Sequence, residues 1–261
     1  MALSLDEMQF LLEKLELDEM PVVLQATGRY DDQLAHDAAM DVAAQSLTDR
    51  DLVVDRAVQP ELEDRLRTLY RPHWVLALRL VVDGVVSRLC LAKGDDLAVL
   101  ALRGPESYVL SVVDEDLPGP IIAALGASEP LEISAMNAQT ELLAPIFGDV
   151  GDAAATTERL SKVCTPNRDV QVLASALVEI HSHAQISAVV YGDGTRDIAD
   201  NHIALFNTRG GRIVVTASIA DDGTKWSSIS SGSNARLRQA LLDLMNSLPE
   251  REDFAPTAGP A

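Results

Sequence analysis

The hydrophobic pattern is densest between His73 and Val113, in HWVLALRLVVDGVVSRLCLAKGDDLAVLALRGPESYVLSVV. Four β-rich runs there are divided by three turn signals, Asp83-Gly84, Gly94-Asp95 and Gly104-Pro105. Short apolar or alternating runs between glycine-containing turns predict an antiparallel meander. A fainter copy lies near the C-terminus, in residues 184–191, 201–208, 211–218 and 224–230. In the first meander Trp74, Leu76, Leu78 and Leu80 alternate with Val75, Ala77 and Val81. Strands that are apolar on both parities are expected to be covered on both faces, so this meander reads as scaffold.

Helical periodicity surrounds the two meanders. Ser4 and Glu7 have the spacing of a capping box, and Met8, Leu11, Leu12 and Leu15 follow on one helical face. From Pro21, PVVLQA reads as a short extended run. Asp31-Asp32 introduces an Ala-rich helix to about residue 46, with Leu34, Ala38 and Val42 expected inward. Pro60 opens a third helix with a stripe of Leu62, Leu66 and Leu69 and with Glu61–Arg65 and Glu63–Arg67 as i,i+4 pairs. A short helix over 117–125, ended by Gly126, follows the first meander. The second half begins with an extended run at 131–133, then a helix capped by Ser134 and running to about 147, then a helix over 152–164. Thr165-Pro166 is expected to open the next helix, with Val170, Leu173, Leu177 and Ile180 inward. After the second meander Ser233 caps a last helix carrying Leu237, Ala240, Leu241, Leu244, Met245 and Leu248.

Three helices, four strands and a helix thus occur twice, with the break near residues 126–129. The pattern predicts a mixed α/β (α+β) chain with an internal quasi-two-fold repeat. Residues 1–248 form one domain of two pseudo-repeats, 1–126 and 127–248, and the Pro- and Ala-rich residues 249–261 form a disordered tail. Periodicity leaves open whether the two meanders share one sheet.

Charge narrows the partners. The 261 residues carry 40 acidic and 21 basic side chains, a net charge of −19. Such a surface repels nucleic-acid phosphates and anionic lipid headgroups, so neither nucleic acid nor membrane is expected as a partner. Only Cys90 and Cys164 are present, too few for a disulfide framework, which fits a reducing cytoplasmic setting. The N-terminus lacks the basic and apolar regions of a signal peptide, and no run approaches the roughly 18 apolar residues of a membrane span.

Candidate chemistry is sparse. His181-Ser182-His183 with Glu179 invites a metal site, but the stretch reads as a helix end, where i,i+2 side chains diverge. Gly192–Asp197 could be read as a cation loop through Asp193 and Asp197, yet it lacks the Glu of an EF-hand. No nucleophile elbow, P-loop or dinucleotide fingerprint is present, so no catalytic residue, cofactor or metal is expected. The second meander is different. Ile203, Leu205, Ile213, Val215, Ala217, Ile219 and Ile229 share one parity and read as core. The other parity mixes aromatics with hydroxyls and one cation. Phe206, Thr208, Arg212, Val214, Thr216, Trp226 and Ser228 are accordingly the candidate partner-binding residues.

Several stretches resemble the EspG family, the cytosolic chaperones of type VII (ESX) secretion. They are the opening SLDEMQFLLEKLELDEMPVVL and, in the middle, Arg71-Pro72, an apolar strand, Arg88–Ala92, Gly94 and Ala98–Arg103. The ending is similar too: Gly211-Arg212, then Gly223-Thr224-Lys225-Trp226, then a Leu-rich helix over 237–244. The resemblance spans residues 1–248 and implies a quasi-two-fold α/β fold. It also implies a binding role, in which the chaperone holds the tip of the PPE subunit of a PE–PPE heterodimer and keeps it soluble for secretion. Two rival readings are a small-molecule enzyme with a pocket between the halves, which a deep seam lined by His181, Asp193 and Arg196 would favour, and a homo-oligomer built through an exposed sheet edge.

Overall fold

The computed structural model describes residues 1–26, 28, 30–192 and 195–248, with Thr195 as backbone only. In the first half, β1 (Ala2–Ser4) leads into α1 (Leu5–Lys14), α2 (Gln33–Asp49), the small hairpin β2 (Val53–Val54) and β3 (Ala57–Val58), and α3 (Pro60–Tyr70). The meander follows as β4 (Trp74–Val82), β5 (Val85–Lys93), β6 (Ala98–Arg103) and β7 (Ser107–Val113), then α4 (Pro118–Ala124). The second half repeats the order. It comprises β8 (Met136–Gln139), α5 (Thr140–Phe147), α6 (Ala153–Val163), α7 (Val170–Leu177), the meander β9 (Ile180–Gly192), β10 (Thr195–Thr208), β11 (Gly211–Ile219) and β12 (Lys225–Ser231), and α8 (Asn234–Asn246).

Both meanders enter one antiparallel ten-stranded sheet, in the order β1-β7-β6-β5-β4-β9-β10-β11-β12-β8. The halves join where β4 pairs with β9 over nine residue pairs, Trp74↔Val190 to Val82↔Ser182. Each half places its leading strand, β1 or β8, beside its own last meander strand, so the order is palindromic about the β4–β9 seam. The two-residue turn Asp83-Gly84 closes the β4–β5 hairpin with φ of 50° and 80°, the pair of left-handed conformations that matches the strand twist.

Helices cover the two faces unequally. On one face α4 and α8 lie over both halves, packing Ile121, Leu125, Leu237 and Leu241 onto Leu76, Leu78, Ile186, Leu205 and Val214. The opposite face carries two separate clusters. One sets α1 and α3 on β5–β7, with Leu11, Leu62 and Leu66 against Cys90, Val99 and Leu110. The other sets α5–α7 on the far strands, with Leu143, Leu160 and Leu173 against Ile213, Val215 and Ile229. The middle of that face, on β4, β9 and β10, lies between these clusters.

Several local expectations are corrected. The run from Pro21 is a 3-10 turn, Val22–Leu24, and not a strand. α2 buries Met40, Ala43 and Leu47, while Leu34, Ala38 and Val42 face outward, Leu34 being 79% and Val42 71% exposed. The leading strand of the second half is Met136–Gln139, paired with β12, so residues 131–133 precede it and Ser134 caps nothing. Its amide instead bonds the Asp169 carboxylate at 2.8 Å. Thr165-Pro166 does not open α7: Thr165 is bridged to Asn137 through backbone bonds of 2.8 Å, and α7 starts at Val170, leaving Ile180 in β9. The tail 249–261 lies outside the described residues.

Candidate protein-binding surface

The uncovered middle of the sheet forms a groove of about 400 Å³. Its floor is Val75 and Ala77 of β4 with Ser187 and Val189 of β9. Its walls are the Val22–Leu24 turn on one side and the projecting end of β10 on the other, where Val22 is 65% and Ile198 73% exposed. Arg79, Arg88 and Arg196 also line it, and none of the described lining residues is acidic. Arg196 is held by Glu19 at 3.1 Å, a bond that ties the β10 wall to the segment before the turn.

Strand register places the arginines. Directly opposite residues share a face of the sheet. Arg79 stands opposite Arg88, and Arg88 opposite Arg103, so three guanidinium groups line up across β4, β5 and β6. On the other side Arg79 meets Gln185 of β9. Arg103 differs from the other two in being partly engaged. It lies over the Tyr108 ring at 5.0 Å and donates to the Pro105 carbonyl at 3.1 Å. The signal for the first pair was present in the chain. A two-residue turn at Asp83-Gly84 forces Arg79, four residues before it, against Arg88, four residues after it. Treating the first meander as pure scaffold hid that pair.

The seven residues expected from the second meander do not share a face. The turn between β10 and β11 pairs Thr208 with Gly211 and Phe206 with Ile213, so residues of unlike parity sit opposite each other. Phe206 and Thr208 therefore point with the α5–α7 layer, while Arg212, Val214 and Thr216 point with α8. Trp226 and Ser228, opposite Ser218 and Thr216, join the α8 side. The presumed core set splits the same way, Ile203 and Leu205 under α8 and Ile213, Val215 and Ile229 under α5–α7.

Exposure divides the seven further. Val214 is core, and the Thr208 hydroxyl is buried, donating to the Gly211 carbonyl at 2.8 Å. Arg212 is completely buried. It donates to Asn207 Oδ1 at 2.7 Å and to the carbonyls of Leu125 and Gly126 at 3.2 and 2.8 Å, the C-terminal end of α4. Burial lowers its pKa, and the negative end of the α4 dipole is where a cation is favoured. Thr216 is half-buried and accepts from Arg236 of α8 at 3.5 Å. Ser228 is half-buried, and Trp226 is 36% exposed at the end of β12. Phe206 is half-buried beside Phe147, with ring centroids 5.2 Å apart, and near His183 at 6.5 Å.

The other candidates resolve simply. His181 and His183 lie in β9 and not at a helix end, so they do share a face. Among the described residues, however, no group of three His, Cys, Asp or Glu side chains is placed to hold a metal ion. Asp193 lies outside the described residues, and with it the cation-loop reading. Arg196 lines the groove, but His181 sits at the opposite end of β9 from it. Burial raises the Cys90 thiol to about 12 and the Cys164 thiol to about 11, so both are protonated and unreactive at neutral pH. No helix is long and apolar enough to cross a membrane among the described residues.

Known proteins resemble this chain in sequence and in fold. The chain is 24% identical over 272 residues to the ESX-3 secretion-associated protein EspG3 of Mycobacterium tuberculosis, covering 97% of this chain and 92% of that protein. It is equally 24% identical over 258 residues to EspG3 of Mycolicibacterium smegmatis, covering 97% and 88%. Its fold matches the M. tuberculosis type VII secretion chaperone EspG5, solved in complex with a PE25–PPE41 dimer, with a TM-score of 0.78 at 16% identity over 97% of this chain and 98% of that one. Residues 4–243 match the family model described as EspG family, and the chain belongs to that family.

Proposed function

We propose that this protein is a binding chaperone of type VII (ESX) secretion, acting in the cytosol without catalysis, whose partner is a PE–PPE heterodimer. The observation that carries the reading is membership of the EspG family over residues 4–243. The geometry supports it. A sheet face left open between two helical layers, with exposed apolar walls and a cationic end, suits an extended protein surface better than a small substrate. Phe206 lies on that same face, one row along from the Arg79–Gln185 pair. Trp226, Thr216 and Ser228 form a second, smaller candidate contact on the α8 side.

The test is co-expression with PE–PPE pairs of the source genome, followed by affinity capture and gel filtration. The expected result is a stable complex with at least one pair. Failure to retain any pair, with this protein folded and monodisperse, would overturn the reading.

A further inference from the structure

The charge of the groove runs against the composition of the chain. Acidic residues outnumber basic ones 40 to 21, yet among the described residues the groove is lined by three arginines and no carboxylate. Among the described residues the side chain of neither Arg79 nor Arg88 has an ion pair or a hydrogen bond. They stand directly opposite each other, and Arg88 directly opposite Arg103, whose buried Nε is also unpartnered. Like charges facing across an antiparallel pair repel and cost stability. The fold does not require them. Aligning the halves on the helix caps Ser4 and Gln139 and following the register inward, carried one residue past the Ile203–Thr216 pair, makes Ser187, His202 and Ala217 the counterparts of Arg79, Arg88 and Arg103. The repeat without the arginines builds the same strands.

We propose that Arg79 and Arg88, backed by Arg103, form a carboxylate-reading strip that takes an acidic segment of the protein partner laid into the groove. This rests on the reading of a protein partner given above. A guanidinium presents a planar fork that a carboxylate fills with two parallel hydrogen bonds, and two adjacent forks favour neighbouring carboxylates on one segment. The exposed Val22 and Ile198 on the groove walls add apolar contact, so the segment carries acidic residues beside aliphatic ones. A polyanion such as nucleic acid is rejected by the −19 charge of the rest of the chain.

The test uses the full chain and a blocked, fluorescently labelled peptide alternating glutamate with leucine, alongside the same peptide with glutamine. At low ionic strength the glutamate peptide binds saturably, and the glutamine peptide at least about tenfold more weakly. R79Q/R88Q loses at least about tenfold for the glutamate peptide, while R56Q/R209Q, which removes as much charge elsewhere, retains it. Relief of the facing charges leaves the Tm of R79Q/R88Q equal to wild type or higher, which a structural role for the arginines would not allow. Equal binding of the two peptides, no saturable binding, or a lowered Tm overturns the strip. Capture of a PE–PPE pair is read in parallel. A pair retained without peptide discrimination removes the strip and keeps the chaperone, and discrimination without any pair does the reverse.

Discussion

Arg212 shows how far a residue's role can lie from its appearance in the chain. A cation among Ser, Thr and aromatics suggested a contact surface, but the side chain is enclosed and ties β11 to the end of α4, across the break between the repeats. Its fit is tight: a Cβ on Gly232 would come within 2.4 Å of the Arg212 side chain, so Gly232 must stay glycine. Arg212→Ala leaves the Asn207 oxygen and two carbonyls without their donor in a buried site. The expected cost is about 3 kcal/mol, on the order of 6–12 °C in Tm, read by calorimetry. Arg212→Lys should recover little of it, because an ammonium cannot reproduce the fork. Glu7 makes a second buried tie. Desolvation raises its pKa, but the Ser4 amide, the Ser46 hydroxyl and Arg50, at 2.7, 2.7 and 2.9 Å, outweigh it and hold the carboxyl below its ordinary 4.5. A carboxyl lowered in the folded state contributes stability that is fully present above its unfolded value and lost as pH falls through the folded one. Wild-type stability should therefore drop on acidification below about pH 4.5 more steeply than that of Glu7→Gln, which starts lower and responds less, as urea midpoints across pH 3–6 would show.

The elements that sequence alone placed correctly are those whose ends and faces are set locally. α1 has its Ser4–Glu7 capping box, α3 its Pro60 and single leucine stripe, and α8 its Ser233 cap and continuous apolar face. The misplacements all involve choices settled at a distance. β8 is a strand because β12 lies beside it, and nothing within residues 131–139 favours one end of that stretch over the other. The binding parity failed at the β10–β11 turn, where the register reverses the match between residue number and sheet face. In α2 two apolar stripes compete, Leu34–Ala38–Val42 and Met40–Ala43–Leu47, and packing against α1 and β2 chooses the second. That choice has a measurable consequence. L34S/V42S removes no packed contact and should shift stability by no more than about 0.5 kcal/mol, while Met40→Ala should cost about 2 kcal/mol. Equal effects from the two would mean that α2 is rotated from the orientation described.

The palindromic sheet carries the last consequence, because the β4–β9 seam makes each half depend on the other. Nine facing pairs join the halves, and the α4/α8 layer packs onto strands of both, so neither half holds a complete core alone. Opening the seam would expose two central strand edges together with the buried Leu76, Leu78, Ile186 and Ala188 beneath that layer. We therefore expect residues 1–248 to unfold as one unit, although the sequence divides so readily into two repeats. The chain supplies its own reporters, Trp74 on β4 in the first half and Trp226 on β12 in the second, and no other tryptophan. Trp226→Phe leaves a probe of the first half, and Trp74→Phe a probe of the second. In urea, each variant's fluorescence midpoint should coincide with its own midpoint by far-UV circular dichroism, whatever the substitution does to overall stability. A probe that moves before or after the backbone signal would show that the seam is weaker than the packing within each half. The groove, whose floor is built from β4 and β9 together, would then open and close with that seam.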